Sequence, residues 1–476
     1  MLKKLLPLCL AAALLAGCGA SAQKPAVPSD AAAPPAAVTQ ATAEQAAGFT
    51  VGTLHAGADI RFGVPVAEDP YRSDAYYEIP RLNLYNAAGN GLIVRTDLGT
   101  GVQSPVCQNP GCAHNSTDCP AFLDCFINDT LAAIDGEVYL IHQAMETDTA
   151  GVTPADQPGL TTEGKRAIEA WDALAQEPGF IERLPTEAGQ PRTRLLELPD
   201  AQLYVNWYDE NALYGLHVPV ETENPESYMV RVDLQTGGTA KAGLPTYVNL
   251  IGVAGNRFLI SGIDSDMDIR ALAKYADTDT FRVLEQNADM VWSMWDMATG
   301  AQTPVYRYGA DESRPFAGVA GGKLYFFTLA ENGLTCKTLM ELDPATGQER
   351  ALLDPMPAGG LWPSEMLPLG LDGNGESRPG LLWLQGYAAG GQVSANCLVE
   401  PQSGTVHTIT QRVLRGGTEA MPYPLAQAAD GRWLVALETM EGASYDRCRY
   451  GLIAPADFLA GSEEYQLVDM YEPDGT

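Results

Sequence analysis

Beyond residue 50, apolar and polar positions alternate with a period of two, or run apolar for four or five residues, and turn-forming residues break the runs at short intervals. Segments such as Ser227-Tyr-Met-Val-Arg-Val-Asp233 and Lys337-Thr-Leu-Met-Glu-Leu-Asp343 carry the β period rather than the helical one. Two kinds of turn punctuate them. The first is D-x-x-T-G, at Asp97–Gly101, Asp233–Gly237, Asp296–Gly300 and Asp343–Gly347, with Glu400-Pro-Gln-Ser-Gly404 as a variant. In such a turn the carboxylate and hydroxyl bond nearby backbone groups, and glycine supplies the positive φ that closes the hairpin. The second places small or turn-forming residues before a strongly apolar strand. It occurs at Asp135-Gly136 before Val138–Ile141, Gly255-Asn256 before Phe258–Ile260, Gly321-Gly322 before Leu324–Phe327, and Asp430-Gly431 before Trp433–Val435.

Together the two turns define a repeating four-stranded unit, too strand-rich for a helical solenoid. The expected fold is therefore all-β: a β-propeller, with units near 80–105, 130–198, 202–243, 249–307, 316–353, 366–410 and 422–470. This counts as seven four-stranded blades, and the spacing also admits six or eight. A long gap between turns contains an insertion at about 146–192, where Ala167, Ile168, Trp171 and Leu174 fall at helical spacing, so a small helical insertion in an early blade is expected. Asp266 to Tyr275 is a second helical candidate.

The amino-terminal residues have a different pattern. Lys3 and Lys4 precede an apolar stretch from Leu5 to Ala16, which has the length of an export signal and is too short to span a membrane. It ends in Leu15-Ala16-Gly17-Cys18, which resembles the bacterial lipobox, and the resemblance implies removal of residues 1–17 and a lipid on Cys18. Residues 18–50 are mostly Ala, Pro, Ser, Thr and Gln, the composition of a disordered tether, leaving 51–476 for the propeller. The expected location is the outer face of the cell membrane, held there by lipid.

Composition then narrows the partners. With 60 Asp and Glu against 29 Lys and Arg, the formal net charge is −31. Long-range repulsion at that charge disfavours nucleic acid and anionic head groups. A monomeric domain contacting the membrane only through its lipid is the expected arrangement.

The densest chemistry lies in Cys107-Gln-Asn-Pro-Gly-Cys112-Ala-His114-Asn-Ser-Thr-Asp-Cys119-Pro-Ala-Phe-Leu-Asp-Cys125. This segment resembles the C-x-x-P-x-C-x-H-x-x-x-x-C-P-A stretch of a family of uncharacterised β-propeller lipoproteins of Gram-positive, clostridial gut-type bacteria. With the lipobox and the hairpin repeat, the resemblance covers nearly the whole chain. It implies a propeller and an extracytoplasmic place, and it assigns no activity. Three readings of the segment stay open: a structural zinc held by three thiolates and an imidazole, disulfides among the four cysteines in an oxidising compartment, or unpaired thiols. Cys336, Cys397 and Cys448 fall in later strands and read as small buried hydrophobes.

Asp372-Gly-Asn374-Gly-Glu376 resembles the calcium loop of integrin-type propeller repeats, with Asp372, Asn374 and Glu376 as oxygen ligands, although Gly380 stands where that pattern has an aspartate. The five histidines, at 55, 114, 142, 217 and 407, form no H-E-x-x-H, and no G-x-S-x-G elbow is present. Aromatic stretches Tyr204–Tyr208 and Trp292–Trp295 could line a sugar-binding face or pack within blades. Two functional readings follow. The first is a binding or scaffold module for an envelope protein or glycan. The alternative is a carbohydrate-active hydrolase or lyase with carboxylates at the propeller channel.

Overall fold

The computed structural model describes residues 49–56, 64–65, 74–80, 89–126, 129–134, 136–142, 162, 165, 169, 173, 178–198, 201–219, 228–245, 248–264, 288–309, 312–320, 322–331, 336–356, 367–369, 382–387, 393–400, 403–415, 418–439 and 448–472. Its principal sheets are antiparallel meanders that follow one another along the chain. Blade I comprises Val64–Pro65, Ala75–Glu78, Val94–Asp97 and Val102–Pro105, and blade II Asp129–Ile134, Glu137–His142, Gly179–Arg183 and Thr193–Leu198. Blade III comprises Ala201–Tyr208, Ala212–Pro219, Tyr228–Asp233 and Thr239–Gly243. Blade IV contains Val248–Ala254, Arg257–Ile263, Met290–Trp295 and Gln302–Tyr308, and blade V contains Phe316–Ala320, Lys323–Leu329, Cys336–Asp343 and Gln348–Leu353. Blade VI is built of Leu367–Leu369, Leu382–Tyr387, Val393–Val399 and Val406–Thr408, and blade VII of Tyr423–Gln427, Trp433–Thr439, Cys448–Ile453 and Gln466–Leu467. Six of these blades are four-stranded; blade III is the same meander widened to five by the short strand His55–Ala56. The fold is a β-propeller; blades II to VII fall on the expected units, whereas blade I begins at Val64 rather than near residue 80, and Gly89–Leu92 leaves it to pair with Phe122–Phe126.

Each core lies between two neighbouring blades, which explains why the central strands are apolar on both faces. Along Leu324–Phe327, Leu324 and Phe326 enter the core shared with blade IV, while Tyr325 and Phe327 enter the one shared with blade VI. Val138 and Leu140 likewise face blade I, and Tyr139 and Ile141 face blade III. A strand whose alternate residues supply two different cores reads as a continuous apolar run. The aromatic stretches serve this packing too: Trp207, Tyr208, Trp292 and Trp295 are all buried.

The D-x-x-T-G turns form as their chemistry requires. In all five, the glycine N–H donates to the main-chain oxygen of the first residue at 2.7–2.8 Å. The φ values of Gly101, Gly237, Gly300, Gly347 and Gly404 lie between 69° and 74°. The Asp97 carboxylate accepts from Thr100 N (2.8 Å) and Thr100 Oγ1 (2.9 Å), and Asp233 accepts from the same two atoms of Thr236 at 3.0 and 2.8 Å. These bonds hold the Asp97 and Asp233 carboxyls below the usual aspartate range.

The ring closes between blades VII and I. Tyr76 and Leu98 share a core with Leu434, Ala436, Tyr450 and Leu452. The buried Glu78 carboxylate accepts from Tyr450 Oη and, at 2.7 Å, from Gln103 Nε2. After the last strand of blade VII, Asp469 bridges Val102 in parallel register, with Gln103 N donating to Asp469 O at 2.9 Å and Tyr471 N to Gln103 Oε1 at 3.2 Å. At another point on the ring, the amino-terminal segment enters between blades III and IV. Gly52 N donates to Asp209 Oδ2 (2.8 Å), Leu54 N donates to Gly255 O (2.8 Å), Leu54 is buried, and His55 and Ala56 pair with Tyr208 and Trp207.

In the insertion, Thr162, Lys165, Glu169 and Ala173 are helical and exposed, and the expected apolar face (Ala167, Ile168, Trp171, Leu174) lies outside the described residues, as does Asp266 to Tyr275. The other helix among the described residues is Pro455–Leu459, which buries Phe458. No helix among the described residues is long and apolar enough to cross a membrane.

Candidate metal centre

The cysteine segment leaves the outer strand of blade I and leads to Phe122–Phe126, which pairs with Gly89–Leu92. A series of tight turns folds it back on itself. Cys112 N donates to Asn109 O (3.2 Å) through Gly111, whose φ is 70°. Cys119 N donates to Ser116 O (2.9 Å), and Phe122 N to Cys119 O (3.1 Å). His114 has φ 53°, a left-handed conformation that is uncommon for a residue with a Cβ; among the described residues it is the one non-glycine position with positive φ.

The result is convergence. The ligand atoms of Cys107, Cys112, His114 and Cys119 all lie within 4.8 Å of one another. His114 Nδ1 stands 3.4 Å from Cys119 Sγ, and the amide of Asn109 donates to Cys107 Sγ at 3.5 Å. Cys119 is buried and the other three are half-buried. The three sulfurs are not bridged to one another. Burial lowers the His114 pKa and pushes the Cys119 thiol up to about 12; the neighbouring Cys107 and Cys112 add to the latter shift, and a bond from the Ala121 backbone opposes it. Three sulfurs and one imidazole nitrogen are the donor set of a closed structural zinc site.

The surroundings connect the centre to three parts of the ring. Cys107, Cys112 and Tyr471 pack against the core between blades I and II. Asn109 Oδ1 accepts from Gly189 N in blade II's outer turn, and Arg192 Nη2 donates to Phe122 O at 3.2 Å. The His114 ring meets that of Tyr471 edge to face at 6.2 Å.

Among the other expected site residues, Cys125 lies in Phe122–Phe126 with its side chain outside the described residues, where Cys18, Asp372, Asn374 and Glu376 also lie. Cys336 and Cys397 are buried, as expected, whereas Cys448 is half-buried at the edge of the closing core.

Two polar groupings went unread in the sequence. His142 Nδ1 lies 3.0 Å from Asp129 Oδ1 in a buried pair, with the imidazole stacked on Phe180 at 4.8 Å. Pairing of Asp129–Ile134 with Glu137–His142 sets Asp129 opposite His142. His217 stacks on Tyr228 with centroids 4.1 Å apart and Nε2 2.9 Å from its hydroxyl; burial and the Lys241 charge lower its pKa to about 4.

No protein-family model and no curated protein matches the chain. Among solved structures it is similar to an acylaminoacyl peptidase of Pyrococcus horikoshii, at 11% identity and TM-score 0.44 over 84% of this chain and 51% of that one. It is also similar to the β-propeller domain of the Trilobed protease of Pyrococcus furiosus, at 10% identity and TM-score 0.44 over 88% and 99%. A protein of Listeria monocytogenes EGD-e matches at 9% identity and TM-score 0.36 over 61% and 77%. The chain spans about half the length of the acylaminoacyl peptidases it matches.

Proposed function

We propose that the chain is a lipid-anchored extracytoplasmic propeller that acts as a binding or scaffold module for an envelope protein or glycan. The observation that carries this reading is the ring itself, whose central strands feed apolar cores on both faces. Beside blade I, the ligand atoms of Cys107, Cys112, His114 and Cys119 converge within 4.8 Å of one another, a donor set of the kind that holds structure. Around it stands a ring whose blades are fixed by apolar cores on both faces, a rigid support for loops that contact a partner. The lipobox ending at Cys18 and the Ala- and Pro-rich stretch to residue 50 support display of the ring at the outer membrane face. The net charge of −31 favours neutral or cationic partner surfaces.

Two measurements test the reading. Expressed full length in a bacterium that processes lipoproteins, the protein incorporates an alkyne-tagged fatty acid and is cut by protease added to intact cells; labelling that persists in Cys18→Ala refutes the anchor. Purified full-length protein binds envelope fragments saturably above a tether-only control, and protease or glycan-degrading treatment of the fragments separates the two classes of partner. Release of reducing ends from envelope polysaccharide would instead establish the carbohydrate-active alternative.

A further inference from the structure

We propose that Cys107, Cys112, His114 and Cys119 bind one Zn²⁺, and that the ion locks the seam where the propeller ring closes. Coordination comes first. Zinc bonds of about 2.3 Å to sulfur and about 2.0–2.1 Å to nitrogen give a tetrahedron with edges of roughly 3.5–3.8 Å. The Nδ1-to-Sγ separation of 3.4 Å between His114 and Cys119 is already close to such an edge, and all four donor atoms fall within 4.8 Å of one another. Three thiolates select a soft or borderline cation over magnesium or calcium. Two further features shape the site. The Asn109 amide is directed at Cys107 Sγ at 3.5 Å, and the backbone of His114 is left-handed, at φ 53°, where its Nδ1 lies 3.4 Å from Cys119 Sγ. Disulfide pairing of two of these sulfurs would leave the third and the imidazole gathered around nothing.

The position of the centre gives the ion its role. The ring closes where its first and last blades meet, and the outer strand of blade I takes part in that joint. That strand pairs with Asp469 of the carboxyl-terminal segment and continues directly into Cys107. The loop holding the four ligands contacts blade II through Gly189 and the carboxyl-terminal segment through Tyr471. One ion therefore fixes a loop that touches both neighbours of the seam strand. The inference is independent of the binding role proposed above, since a zinc lock serves an enzyme or a scaffold equally.

The test uses the full chain, purified in detergent without chelator. Elemental analysis gives one zinc per chain, and zinc is lost in Cys112→Ser. Co²⁺ added to the chelated protein gives sulfur-to-cobalt charge-transfer bands with tetrahedral visible bands. His114→Cys retains metal and shifts those bands, which separates lost ligation from failed folding. An intact mass two or four protons below that of the reduced chain, with no bound metal, overturns the site. For the lock, hydrogen exchange is compared with and without chelator. Exchange should rise at Gly189, Gln103, Asp469 and Tyr471 and stay unchanged at Leu259 and Phe326 in blades IV and V. A uniform rise across the ring, or no change at the seam, overturns the lock even where zinc is bound.

Discussion

Replacing Tyr450 by Phe removes one hydroxyl from the buried joint between blades VII and I. The ring keeps its packing, since Phe fills the same volume against Tyr76, whose centroid is 5.9 Å away. What disappears is the bond from Tyr450 Oη to the Glu78 carboxylate, one of several polar links across the joint, between residues 372 apart in sequence. Burial, and next the Glu78 charge, raise the Tyr450 pKa well above the usual phenol value, so the hydroxyl stays a donor throughout the accessible pH range. A hydrogen bond to a charged group contributes about 1.5–3 kcal/mol. Unfolding entropy near 60 °C is about 2.1 cal/mol/K per residue, or roughly 0.6 kcal/mol/K for the roughly 290 described residues, so the expected fall in Tm is about 2.5–5 °C. Scanning calorimetry of the wild type, Tyr450→Phe, Glu78→Gln and the double variant gives the coupling between the two groups. An unchanged Tm in Tyr450→Phe, or a coupling near zero, refutes the claim that this pair helps hold the seam.

Other expectations follow from the turns and histidines. Gly237→Ala should cost more than Gly300→Ala in denaturant titration. Both have positive φ, at 69° and 71°, but a Cβ at Gly237 would stand 2.8 Å from the Leu195 carbonyl oxygen, whereas one at Gly300 meets nothing within 4 Å; equal losses would show that the backbone relieves the clash freely. The Asp97 and Asp233 carboxyls titrate below their usual range in the fold, so the stability they contribute is complete above the unfolded aspartate pKa and is lost as pH falls through the lowered values. Asp97→Asn should therefore flatten the acid limb of the stability profile, and an unaltered limb contradicts this. His217, lowered to about 4, stays neutral in the fold while the unfolded chain takes up a proton below about 6.5, so stability declines as pH falls through that interval. In His217→Phe the decline between those pH values should be shallower, as read by urea midpoints at successive pH.

The parts of the molecule legible in the sequence are those whose physics is local. A D-x-x-T-G turn is complete within five residues, so its carboxylate, hydroxyl and glycine announce the hairpin without help from elsewhere. Apolar runs such as Leu324–Phe327 announce a strand buried on both faces. Cys107, Cys112, His114 and Cys119 stand close enough in sequence for the cluster to be seen before the fold is known. Other features depend on partners far along the chain. Nothing near His55 shows that it pairs with Tyr208, and nothing near Asp469 points to Val102. The choice among disulfide, metal and free thiol also escapes the sequence, because spacing says which cysteines are neighbours and not how their sulfurs are aimed. The left-handed φ of His114, set by the turns around it, is one such detail that no spacing announces.

The entry of the amino-terminal segment between blades III and IV has a mechanical consequence. With the lipid on Cys18 that we propose, tension from the membrane reaches the ring through Gly52, Leu54 and the strand His55–Ala56. Those residues are nearly half a circumference from the joint of blades VII and I, where the chain is most exposed to unzipping. A pull on the anchor would first break the Gly52 bond to Asp209 and draw Leu54 from its core, then strip the two-residue strand from the edge of blade III, while the other four strands of that blade stay paired. With that anchor the small strand would act as a strain relief, yielding before the joint of blades VII and I bears the load.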